Sequence, residues 1–271
     1  MKALIYKKLQ ELSKLTGASK SYFASESKYK CSLCKDHGII VQGEEAVVCP
    51  CMKQKSLNNK FKHAKIGTQI QNISFADFNL SFYSDSMNYE DNNLSYRQIA
   101  QITLNAAKQF AEDIANNKKT KGLLLTGPVG SGKTFLAAAI ANYLLAKNKQ
   151  VLFVVVPDLL DEIRSTYQKQ NEEMTDLELT DAAREAEILI LDDLGVHNYT
   201  EWTINKLYSI INYRANNDLP LIVTTNLDML QLEKCLGDRT TSRILQLCQI
   251  YRLIVDVDIR YQLYVKQAKI N

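Results

Sequence analysis

From residue 121 onward the chain alternates between two patterns. Short runs that are apolar at nearly every position ("GLLLT" at 122–126, "VLFVVV" at 151–156, "ILIL" at 188–191, "LIVTT" at 221–225) are separated by longer stretches whose apolar positions recur every three or four residues. A strand that is apolar on both sides needs cover on both faces. Such strands separated by helices therefore predict a parallel sheet between two helical layers, an α/β fold of three layers. The helices expected between the strands are "KTFLAAAIANYLLAKN", "PDLLDEIRSTYQKQ", which starts at a proline, and "TEWTINKLYSIINYRANN". Ahead of the first strand, "SYRQIAQITLNAAKQFAEDIANN" reads as a long helix, and residues 73–94 mix aromatics with turn formers. Residues 52–70 are polar and weakly patterned, which suggests a connector. Leu4, Ile5, Leu9, Leu12 and Leu15 give residues 3–15 the spacing of an amphipathic helix. No apolar run is long enough to cross a bilayer, and there is no internal repeat or low-complexity tract.

Two strand ends carry chemistry. "GPVGSGKT" follows the first strand and opens a helix, the setting in which G-x-x-x-x-G-K-[ST] cradles phosphate. Backbone N–H groups of Gly127, Val129, Gly130, Ser131 and Gly132, with Pro128 inside the loop and Phe135 just beyond, would line a nucleotide. Lys133 would reach the β/γ-phosphates and the Thr134 hydroxyl would meet Mg²⁺. "ILILDDLG" places two carboxylates side by side at the end of a buried strand, where like charges repel and desolvation is unfavourable. A cation held by Asp192 and Thr134 removes the difficulty and leaves Asp193 to orient or deprotonate a water. Asn226 ends a further strand, where its amide can hydrogen-bond that water or the γ-phosphate. These residues predict ATP with Mg²⁺ and hydrolysis.

Charge is uneven. Residues 1–70 hold 13 Lys against 5 acidic residues, for +8, while residues 71–271 hold 20 basic and 25 acidic residues, for −5. A basic front can meet nucleic acid or an acidic protein face, and it equally suits a solvated surface. The N-terminus is interrupted by lysines and is no signal peptide, so a cytoplasmic setting with reduced thiols is expected. Within the front segment, C-x-x-C, fourteen residues and C-x-C put Cys31, Cys34, Cys49 and Cys51 in two pairs suited to tetrahedral Zn²⁺. His37 or His63 could replace one thiol. Cys235 and Cys248 fall in apolar helical patterns and read as core residues. His197 shows no partner by spacing, and Trp202 reads as a helix-packing residue.

"GPVGSGKT", "ILILDDLG", "TEW…LYSIINYR", "LIVTTN" and "GDRTTSRI", in this order, resemble the AAA+ ATPases of the DnaC/DnaI helicase-loader group, with the IstB transposition helpers as close relatives. The resemblance covers roughly residues 73–260. It implies a P-loop AAA+ core behind a small N-terminal zinc-binding helical module, divided at 1–70 and 71–271. It implies that Arg243, or failing it Arg239, is the finger that reaches a neighbour's ATP, and that Arg260 senses phosphate in cis. The chain ends eleven residues after Arg260, so the usual helical lid is expected to be missing or vestigial. It implies contact with single-stranded DNA near Arg164, Tyr167 and Lys169, which supply cations and a stacking ring, although the same residues suit a solvated helix face. The aromatics Phe75, Phe78 and Tyr83 resemble the segment beside the base, while core packing is their plainer reading. The function so implied is ATP-dependent loading of a hexameric replicative DNA helicase onto single-stranded DNA by an oligomer of this chain. A transposition helper or a nucleotide-binding adaptor without turnover are the alternatives.

Overall fold

The computed structural model describes residues 29, 31–42, 45–61, 72–89, 93–166, 175–195 and 199–268; the helix expected at 3–15 lies outside them. The chain divides into two compact units, residues 1–49 and 50–271. In the first, tight turns over Ser32–Gly38 lead into an antiparallel hairpin of β1 (Ile39–Gln42) and β2 (Glu45–Val48). The cysteine segment is thus turn and hairpin, with left-handed backbone at Lys35, Asp36 and Gly38.

The second unit begins with α1 (Pro50–Lys60), where the sequence suggested a connector. The helix owes little to amphipathicity. It is fixed by docking, because the Gln54 amide donates to Val151 O (2.8 Å) and accepts from Val151 N (2.9 Å). Both polar groups of an edge strand are thereby satisfied by one side chain. Leu57 and Phe61 are buried in the same core as the sheet. This packing places α1 with the sheet.

Short 3-10 turns at Phe75–Asp77 and Leu80–Phe82 precede α2 (Tyr96–Ala115), which Ser95 and Gln98 cap reciprocally. There follow β3 (Gly122–Thr126), α3 (Lys133–Ala146), β4 (Val151–Val155), α4 (Val156–Ser165), α5 (Asp176–Glu185) and β5 (Ile188–Leu194). Then come α6 (Glu201–Asn216), β6 (Leu221–Thr225), α7 (Met229–Leu236), α8 (Asp238–Leu247), β7 (Cys248–Arg252) and α9 (Ile259–Ala268). The five strands of this unit are parallel in the order β4-β5-β6-β3-β7. Cys248 opens β7 instead of lying in a helix: it pairs with Gly122, and its thiol faces Leu221 O at 3.4 Å. Burial pushes that thiol up to about 12.

Strand alternation divides the core. Leu123, Leu125, Ile188, Ile190 and Ile222 pack with α2 and α3 on one face. Leu124, Leu189, Leu191, Leu221 and Val223 pack with α4 to α8 on the other. Arg214, fully buried at the end of α6, donates to the carbonyls of Ala183, Arg184, Ala186 and Pro220. One cation thus satisfies the free carbonyls where α5 ends, favoured there by the helix dipole. Among the described residues, no helix is long and apolar enough to cross a membrane.

Candidate functional site

The site lies at the carboxyl ends of β3, β5 and β6, where a parallel sheet opens a crevice. Between β3 and α3 the loop Gly127–Gly132 turns with positive φ at Gly127, Gly130 and Gly132. Gly132 is pinned from outside: the buried Tyr83 hydroxyl donates to Ser131 O at 2.7 Å, and a Cβ on Gly132 would stand 2.9 Å from that hydroxyl. Tyr83 stacks on Phe78 at 5.5 Å, and Phe78 contacts Phe135 at 6.0 Å. The aromatic segment therefore packs onto the loop, and Phe135 faces this group. On the other side, Ile259 N donates to Gly130 O at 3.1 Å, and a Cβ on Gly130 would overlap the Asp258 carboxylate. The start of α9 is thus seated on the loop as well.

Lys133 is buried and folds back, donating to Gly127 O (2.8 Å), Pro128 O (2.7 Å) and Ser131 Oγ (3.4 Å). Burial lowers its ammonium to about 8, against the raising influence of Asp193 and Asp192; Arg260 lowers it further. Thr134 Oγ1 donates to Asp192 Oδ1 at 3.0 Å and so joins the loop to β5. Asp192 is buried, and that burial raises its carboxyl, while hydrogen bonds from Thr224 and Thr134 pull it down. Thr134 and Asp192 offer the hydroxyl and carboxylate that could hold Mg²⁺ beside a phosphate chain.

Asp193 follows in the left-handed region at φ 56, at an irregularity where the β5–β6 pairing shifts between Leu191 and Leu194. Asn226 comes one residue beyond Thr225, which pairs with both Thr126 and Leu194, so it stands at the sheet edge between the loop and the carboxylate pair. Arg243 is elsewhere: on α8 its guanidinium donates to Gln246 Oε1 at 2.7 Å. Arg239 is exposed on the same helix. Arg164 lies over the Trp202 ring at 5.3 Å, while Tyr167, Lys169, His63 and His197 lie outside the described residues. Sequence reasoning passed over three groups: Thr224, Asp258 and Tyr199, whose hydroxyl accepts from Gly195 N at 2.7 Å. For Thr224 a signal existed, since strand period places 222 and 224 on the face of β6 that α3 covers.

The four cysteines converge. The Sγ atoms of Cys31, Cys34, Cys49 and Cys51 all lie within 4.8 Å of one another, and those of Cys31 and Cys49 are 3.7 Å apart. A tetrahedron with Zn–S of about 2.3 Å has edges of about 3.8 Å, so the spacing fits zinc. Gly38 N also donates to Cys34 Sγ at 3.3 Å, a contact that favours thiolate. His37, which lies among the described residues, does not join the cluster.

The sequence model of the family described as IstB-like ATP binding protein matches residues 6–257. The chain is 28% identical over 153 residues to the replicative helicase loader DnaC of Escherichia coli (strain K12), covering 55% of this chain and 61% of that protein. It thus spans about three fifths of the length of this curated relative. A crystal structure of DnaI superposes with a TM-score of 0.51 at 29% identity, over 69% of this chain and 91% of that one. The crystal structure of the DnaC helicase loader superposes with a TM-score of 0.54 at 22% identity, over 70% of this chain and all (100%) of the other, a likeness of fold. The arrangement is that of an AAA+ ATPase core.

Proposed function

We propose that this chain, which belongs to the IstB-like ATP-binding family, hydrolyses ATP at the loop–carboxylate site and uses the cycle to load a replicative DNA helicase onto single-stranded DNA. The observation that supports this best is the direct coupling of Thr134 to Asp192, with Lys133 and Asp193 beside it, in a chain whose relatives include a named helicase loader. When bound at Thr134 and Asp192, a magnesium ion would neutralise phosphate charge. Lys133 and the loop N–H groups hold the β/γ-phosphates, Asp193 accepts a proton from the attacking water, and Asn226 orients it. Arg260, whose charge lowers the Lys133 ammonium, contacts phosphate in cis. Arg243, whose guanidinium donates to Gln246 on its own helix, serves a neighbouring copy, so the working form is an oligomer on the helicase. Arg164, with Tyr167 and Lys169, contributes to the single-strand contact. Cys31, Cys34, Cys49 and Cys51 hold a structural zinc, and residues 1–70 dock on the helicase.

Pull-down of a replicative helicase tests the assignment. Intact protein should retain it, and Cys31→Ser/Cys34→Ser should lose both the metal and the helicase. ATP turnover in the presence of single-stranded DNA should vanish in Lys133→Ala and Asp193→Asn; full activity in either removes the assigned roles. A second reading follows from the family description: an IstB-like transposition helper, which would instead bind duplex DNA tightly and retain a transposase.

A further inference from the structure

Strict strand alternation makes Asp193 a puzzle. Ile188, Ile190 and Asp192 face the layer that contains α3, so the next residue of a regular strand would face the opposite layer, away from the phosphate loop. At Asp193 the strand breaks that alternation, because its backbone is left-handed and the β5–β6 pairing shifts between Leu191 and Leu194. A left-handed residue at such an irregularity directs its side chain differently from a residue in a regular strand. That conformation is unfavourable for a residue with a Cβ. The shift of pairing between Leu191 and Leu194 also takes the Asp193 N–H out of the regular ladder.

One hydroxyl answers both needs. Thr224 is fully buried on β6. Its Oγ1 accepts from Asp193 N at 3.0 Å and donates to Asp192 Oδ1 at 2.6 Å. Donor and acceptor are used at once, so the hydroxyl proton has a single orientation. We infer that Thr224 is the positioning residue of this site: it locks the β5 irregularity that swings Asp193 towards the phosphates and fixes the Asp192 carboxylate beside Thr134. The role rests on the hydrolysis reading above. It makes no claim that Thr224 touches the nucleotide.

Thr224→Val keeps the shape and β-branching and removes the hydroxyl; Thr224→Ser keeps the hydroxyl. In steady-state hydrolysis with single-stranded DNA and helicase present, Thr224→Val should lower kcat about tenfold or more with KM for ATP within about twofold, because ground-state contacts to the loop are intact. Thr224→Ser should stay close to wild type. Hydrogen exchange on the nucleotide-free protein gives a reading independent of turnover: the segment 190–195 should lose protection in Thr224→Val and keep it in Thr224→Ser. If Thr224→Val unfolds, Thr224→Cys, of similar volume but a weak donor, takes its place. Wild-type turnover with an unaffected Thr224→Val, or a Thr224→Ser as impaired as Thr224→Val, overturns the inference alone. Absence of any wild-type turnover overturns the hydrolysis reading and the inference with it.

Discussion

Lys133 ties the affinity for ATP to pH. In the nucleotide-free protein its ammonium is lowered from 10.5 to about 8, mainly by burial. Only the charged form can pair with phosphate, and a bound polyphosphate would lift the group back towards its ordinary range. ATP binding above pH 8 must therefore take up a proton, and affinity must fall as pH rises. With a free-protein value of about 8, about three quarters of the sites are charged at about pH 7.5 and about 3% at about pH 9.5, which gives about a 20-fold loss of affinity. Titration calorimetry at several pH values measures the loss. Repeating it in buffers of different ionisation enthalpy counts the proton directly. The sign for folding is the opposite one: the unfolded chain holds this proton up to 10.5, so stability of the free protein increases between pH 8 and 10.5 from this group. An affinity that stays flat to about pH 9.5, with no proton uptake, would show that Lys133 is not a poised phosphate contact.

Two further outcomes follow from the packing. Arg214→Met strands the three carbonyls of Ala183, Arg184 and Ala186 at the end of α5, removes a donor from Pro220 O, and should cost about 3–5 kcal/mol in urea unfolding, with Arg214→Lys intermediate; a loss below about 1 kcal/mol would mean that water replaces the guanidinium. Tyr83→Phe keeps the stack on Phe78 and deletes the bond to Ser131 O, so ATP affinity should weaken about fivefold, as measured with a fluorescent ATP analogue, while the fold persists.

The wrong readings have a common source. Residues 50–60 carry almost no periodic signal, and their helix exists because Gln54 and Leu57 find partners about a hundred residues away, at Val151 and in the sheet core. Cys248 sits in a pattern that local reasoning assigned to a helix, and pairing with Gly122 makes it a strand. Long-range contacts override weak local preference. The helices and strands around the phosphate loop, by contrast, were legible because both local pattern and tertiary cover agree there.

The alternation of doubly apolar strands with helical patterns already pointed to the three-layer parallel sheet, since such strands need cover on both faces and the helices supply it. The sequence also placed the loop glycines, Lys133, Thr134 and the carboxylate pair at strand ends, the setting in which that motif holds phosphate. Only the tertiary structure decided how that chemistry is aimed. Alternation along β5 predicts that Asp192 and Asp193 point to opposite layers. In the structure Asp193 is instead left-handed, and its N–H is held by a hydroxyl from the neighbouring strand, 31 residues later in the chain. A backbone irregularity is a property of paired strands, and no single segment encodes it.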